Sequence, residues 1–211
     1  MFKNERKQFI VKVYAICGTQ ILISTLLTVL AFVTPLGEWM KKHSYLHLVA
    51  MVVGICIFCY IACFKNASRK VPQNYILLFA FTFVWSYMVA GFCSWYNPES
   101  VVAAATLTTV MFVGLTAYAC CSKSEELEYC WAAGAVLSFL LLPAILFAIL
   151  FGAYTFLYVL VIVLCSIYII YDTKLIMEYL EPDEYIIGAL ILYVDLINLF
   201  LYILALFGGN N

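Results

Sequence analysis

Two of the chain's twelve acidic residues, Asp172 in YIIYDTKLI and Asp195 in LYVDLINLF, sit in apolar surroundings, whereas the other ten fall in loops or at the ends of apolar runs. A carboxylate held at mid-bilayer costs several kcal/mol, so such a residue faces the interior of a helix bundle, pairs, and marks an ion or proton path. Two carboxyls in a poorly solvated place do not both ionise easily. One proton is retained between them and the pair titrates as a unit. Losing that proton leaves two negative charges, which draw a hard cation. A plainer alternative is a neutral carboxyl hydrogen-bonded to a neighbouring helix.

The two residues lie on the arms of one hairpin, with Pro182 in LEPDE as the natural break between them. Asp172 is ten residues before that proline and Asp195 thirteen after it. If the first arm stays helical through TKLIMEY, the offset of three residues is about 5 Å at 1.5 Å per residue. Both carboxyls then stand at similar depth. Gly188, Ile191, Asp195, Asn198 and Tyr202 share one helical stripe, which puts the amide of Asn198 on the carboxyl's own face, expected to look inward.

The positioning elements are membrane helices. With 66% hydrophobic and 11% charged residues, the chain lies far outside soluble composition, and its net charge of −1 points to no nucleic-acid partner. Its solvent is the lipid bilayer. Uncharged runs long enough to cross about 30 Å of hydrocarbon fall at 13–33, 46–64, 75–93, 101–121, 129–151, 154–171 and 185–207. The expectation is an all-α membrane protein, one seven-transmembrane-helix bundle over 13–207, with an N-terminal segment 1–12 and a tail 208–211. The alternative is six spans plus a re-entrant C-terminal segment. Nine basic residues (Lys3, Arg6, Lys7, Lys12, Lys65, Arg69, Lys70, Lys123, Lys174) fall on one side and only Lys41 and Lys42 on the other, which predicts a cytosolic N-terminus.

Other polar features have plainer readings. Most of the nine cysteines lie within spans, where a disulfide framework is not expected; Cys56, Cys59 and Cys63 share a helix face and read as small packing residues. Ala105 with Thr109 reads as a close helix-packing surface. Pro143 is expected to kink the fifth span, and His43 and His47 read as interfacial. Asn66-Ala-Ser68 is an acceptor pattern for N-linked sugar, on the side the topology makes cytosolic.

The segments RKQFIVKVYAICGTQIL, SRKVPQNYILLFAFT, AAATLTTVMFVGLTAY, YIIYDTKLI and GALILYVDLINLFLYIL resemble the transmembrane Bax-inhibitor motif family, in its lifeguard and Golgi anti-apoptotic branch. The resemblance covers nearly the whole chain. It implies a seven-helix fold that leaks calcium down its gradient, with Asp172 and Asp195 sharing a proton as pH sensor and ion gate, and Ca2+ and H+ passing rather than bound as cofactors. The calcium would be held only transiently near the pair, with Asn198 and Tyr171 as supporting polar groups, because Ca2+ takes six to eight oxygens. It further implies a multi-pass protein of Golgi or ER membranes in a eukaryote, or of the plasma membrane in a bacterium, which suppresses apoptosis. Some relatives carry an acid within the second span and a basic latch near its end. Here that span has no acid, and Arg69 and Lys70 are the candidate latch.

Two other functional classes compete. One is a scaffold that regulates cell death by binding other membrane proteins of that pathway. The other is an enzyme, because paired intramembrane aspartates on consecutive helices, the first after a Tyr as in Tyr171–Asp172, also resemble presenilin-type aspartyl proteases. In those the second Asp follows a Gly-x-Gly stretch, while here Leu192, Tyr193 and Val194 precede Asp195 and no Pro-Ala-Leu segment appears. The expectation is therefore a non-enzyme.

Overall fold

The computed structural model describes residues 2–64, 68–122, 126–152 and 154–208. Asn66 of the acceptor pattern, Lys65, Lys123 and the tail beyond 208 lie outside them. In chain order the helices are α1 (Phe2–Val33), α2 (Leu36–Lys42), α3 (Tyr45–Cys63), α4 (Gln73–Cys93), α5 (Pro98–Cys121), α6 (Glu126–Phe151), α7 (Tyr154–Glu178) and α8 (Tyr185–Gly208). A bilayer explains why helices alone appear among the described residues, since only they satisfy every backbone group within one segment. Among the described residues six of them, α1, α3, α4, α5, α7 and α8, are long and apolar enough to cross a membrane. The chain is a multi-pass, all-helical membrane protein. In α6 the qualifying apolar stretch is shorter, Ala132–Ile145, so the expected seventh crossing is not established. The helix runs on through Pro143.

Contacts divide the chain into two compact units, residues 1–98 with 180–193 and residues 99–179 with 194–211. In the first unit α1 packs on α4 and α3 packs on α4. Its core holds Phe9, Val13, Ile61, Leu78, Phe81 and Leu190. Polar side chains cross that core at helical spacing: Gln20, Ser24 and Thr28 on α1, and Thr82 and Ser86 on α4, are all buried. In the second unit α6 packs on α7, and Leu164, Ile169, Ile176, Leu199, Phe200 and Leu204 are buried.

Three boundaries differ from the expected ones. Helix α1 begins at Phe2 rather than near 13, because Phe9 and Val13 are already buried while Lys7 and Lys12 between and beside them are exposed. Helix α7 runs to Glu178, the continuation through TKLIMEY on which the hairpin arithmetic depends. Between the first two apolar runs lies the short helix α2, in which Gly37 is buried and Met40 clusters with Ala31 and Ala90. A Cβ at Gly37 would lie 2.5 Å from the backbone carbonyl oxygen of Ala31, a group that cannot swing aside. Gly37→Ala should therefore cost roughly 1–3 kcal/mol, as overpacking does, read as a lowered thermal midpoint of the purified protein in micelles. On α5 the buried face carries Ala104 and Thr108, not Ala105 and Thr109, which are exposed. The hydroxyls of Thr106 and Thr109 turn back to carbonyls one turn earlier.

Candidate functional site

Asp172 is in the last two turns of α7 and Asp195 near the middle of α8, both in the second unit. Their side chains hydrogen-bond each other. Ionised carboxylates only accept hydrogen bonds, so this contact holds a proton. Asp195 Oδ2 is buried and accepts no hydrogen bond from an N–H or hydroxyl among the described residues. A buried acceptor left bare costs about 1–3 kcal/mol, and a protonated carboxyl carries that burden more easily than an ionised one.

Around the pair, the titratable neighbours of Asp195 on α7 are Asp172 and Cys165. Asn198 and Tyr202 follow on the α8 stripe and are half-buried, as is Tyr171 beside Asp172. Consecutive helical residues project about 100° apart, so Tyr171 does not share the face of Asp172. In the sequence Lys174 counts only among the nine basic residues of one side. It is 5% exposed, and its ammonium donates to the carbonyl oxygen of Ser122 just past α5 and to Glu178 Oε1 at 3.2 Å. A cation there complements the negative end of the α5 dipole, and its charge is taken up away from Asp172.

The candidate latch residues separate. Lys70 is exposed. Arg69 joins three acids of the turn before α8: Nη2 lies 2.6 Å from Glu181 Oε2 and 2.8 Å from Glu184 Oε1, and Nε lies 3.2 Å from Asp183 Oδ2. The same turn receives the guanidinium of Arg6 at the carbonyl of Leu180, and Asn74 Nδ2 reaches the hydroxyl of Tyr185 at 3.3 Å. All of these residues belong to the first unit, so Arg69 serves here to tether the start of α8. Its guanidinium is held above its ordinary range, first by the hydrogen bond to Glu184 against an opposing effect of burial, then by Glu181 and Asp183. A raised folded-state value means that the contribution is complete below the unfolded value and is lost only as pH rises through the folded one. From mildly acidic to mildly alkaline pH, Arg69 stays charged. Because its side chain is 28% exposed, salt should screen the cluster. The stability gap between wild type and Arg69→Gln should accordingly shrink as NaCl is raised from about 10 mM to about 1 M, measured as thermal midpoints.

A second polar cluster lies in the first unit. The Tyr193 hydroxyl is 2.7 Å from Ser24 Oγ and 3.4 Å from Ser86 Oγ, and the two serine oxygens are 2.8 Å apart. Ser24 Oγ also donates to the Gln20 carbonyl at 3.0 Å, while Gln20 Nε2 donates to Thr82 Oγ1 at 2.9 Å. Serines and threonines scattered in apolar spans gave no sign of this meeting before the helices were packed.

The family described as "Inhibitor of apoptosis-promoting Bax1" matches residues 6–211. The chain belongs to this Bax-inhibitor family. It is similar to Protein lifeguard 3 of Homo sapiens, 29% identical over 99% of this chain and 71% of that one. It is also similar to Protein lifeguard 4 of Mus musculus, 33% identical over 98% and 87%, and to the Golgi anti-apoptotic protein of Vaccinia virus (strain Lister), 32% identical over 98% and 87%. The vaccinia relative is named as anti-apoptotic, and none of these three names states an enzymatic reaction. The matched span contains both carboxyls, Arg69 and the Ser24–Ser86–Tyr193 cluster.

Proposed function

We propose that this chain is an anti-apoptotic protein of Golgi and ER membranes that lets calcium leak down its gradient, with the Asp172–Asp195 pair as its proton-sensitive gate. The observation that carries the reading is the hydrogen bond between two carboxyls on membrane-spanning helices. With the proton in place the bond joins α7 to α8. Without it two negative charges repel across the same gap, and only a cation relieves them. Two carboxylates with Asn198 and a few waters make a shallow site for Ca2+, suited to transit rather than storage. The family's description and the vaccinia relative's name support the survival role, and that name supports the Golgi placement. A seventh crossing by α6 and a cytosolic N-terminus complete the reading. The test is calcium flux into dye-loaded vesicles holding the purified protein. Flux should rise with pH as the shared proton leaves, and pH-independent flux at the level of protein-free vesicles would refute the gate.

A further inference from the structure

The short helix α2 is held from beneath. Its Met40 clusters with Ala31 of α1 and Ala90 of α4, and a Cβ on Gly37 would lie 3.5 Å from Cβ of Ser94, just past α4. Helices α1, α3 and α4 are each long and apolar enough to cross the membrane. Since α3 leaves the face on which α1 ends and α4 returns to it, α2 and the end of α4 share one membrane surface. All of these residues belong to the first unit. Outward, α2 exposes Glu38, Trp39 and Lys42, with Lys41 half-buried. Lys41 Nζ stands over the ring of Trp95, 5.7 Å from its centroid, and both Trp95 and Tyr45, the first residue of α3, are exposed.

Exposed Trp and Tyr rings at the end of a span lie at the level of the lipid headgroups, where one end of the ring is apolar and the other wet. The charge at that level is unbalanced, because two lysines face Glu38 alone on α2. Neither lysine makes an ion pair with a carboxylate among the described residues. We propose that this surface binds the headgroup of an anionic phospholipid, with the Lys41 ammonium donating to a phosphodiester oxygen and the rings of Trp39 and Trp95 resting on the apolar shoulder of the lipid. An ammonium has three N–H donors, and a ring face occupies one side of it while leaving the others for oxygen. Trp95 thus holds the ammonium in place before a lipid arrives, which lowers the ordering cost of binding. Lys42 follows at about 3.8 Å along the chain, well within the Debye length of about 10 Å at 0.1 M salt, so it adds its attraction to the same phosphate. A zwitterionic headgroup carries its own cation and forfeits most of that attraction.

The experiment is native mass spectrometry of the full chain in detergent micelles, titrated with phosphatidylglycerol or with phosphatidylcholine. Phosphatidylglycerol should bind the more tightly. Lys41→Gln combined with Lys42→Gln should weaken its binding by about tenfold or more and leave phosphatidylcholine nearly unchanged, with the thermal midpoint near wild type. Trp95→Leu keeps an apolar side chain without the ring face and should weaken phosphatidylglycerol several-fold. Lys70→Gln changes an exposed lysine between α3 and α4, at the opposite membrane surface, and should bind as wild type. Equal binding of the two lipids, a double variant that superimposes on wild type, or an equal loss in Lys70→Gln overturns the proposal. Displacement of the lipid by inorganic phosphate would assign the lysines to a free anion and overturn the lipid as occupant.

Discussion

Asp195→Asn should abolish the pH response of calcium flux and hold it at its low, acid-side level. An asparagine amide is nearly the shape of a carboxyl but does not titrate, and its N–H groups donate to the carboxylate of Asp172 without needing a shared proton. The bridge between α7 and α8 then persists at every pH. The negative charge that draws a cation is also halved. A loss of only about 1.4 kcal/mol of attraction is tenfold in occupancy, and two unit charges a few ångströms apart near a protein surface interact by more than that. Flux at alkaline pH should therefore fall at least about tenfold. Asp172→Asn should behave alike, since the amide then donates from the other side. Dye-loaded vesicles at matched protein density measure both, and a wild-type pH profile in either variant would remove the pair from the gate. Protection from cell death that survives both substitutions while flux is lost would instead place the survival role in partner binding.

The second large effect is on stability, and its size follows from counting hydroxyl protons in the first unit. Ser24 Oγ donates to the carbonyl of Gln20, so its own proton is used. Ser86 and Tyr193 must then both donate to Ser24 Oγ, which has two lone pairs to receive them. One oxygen on α1 thus satisfies donors from α4 and α8. Ser24→Ala removes the shared acceptor; the Ser86 and Tyr193 hydroxyls, 3.4 Å apart, can then pair with each other, which leaves one donor bare, so a loss of about 1–3 kcal/mol is expected. Tyr193→Phe removes a donor and strands none, and should cost under about 1 kcal/mol. Denaturant titration of the purified protein in mixed micelles reads the difference. Equal losses in the two variants would show that the proton assignment is wrong.

Legibility in the sequence followed the physics of each feature. Apolar runs announced the spans because burial in lipid is a property of each segment alone. The meeting of Asp172 and Asp195 was readable because both lie on one hairpin, where distance along the chain converts directly to depth. Arg69 was harder. Its acids lie 112 to 115 residues away, and nothing local distinguishes a basic residue tethering a distant turn from one facing water. The same holds for Lys174, whose burial depends on where α5 ends. Helix α2 falls between the uncharged runs because the charges of MKKH interrupt them, although Leu36 and Met40 are spaced one turn apart and Met40 is buried. The face of α5 was misplaced by a single residue, Ala104 and Thr108 for Ala105 and Thr109, because in lipid both faces of a helix are apolar and periodicity loses its contrast.

The bond between Ser24 and Tyr193 joins residues 169 apart in the chain, and this bears on how the protein is made. Helix α1 leaves the ribosome long before α8, carrying Gln20, Ser24 and Thr28 into the bilayer with their eventual neighbours not yet synthesised. Until α8 arrives, Ser86 alone can engage Ser24 from another helix. The first unit is therefore completed only when nearly the whole chain has been translated. A ribosome that stalls before Tyr193 releases a product with polar side chains poorly satisfied in lipid, a feature by which membrane quality control could tell it from the finished protein.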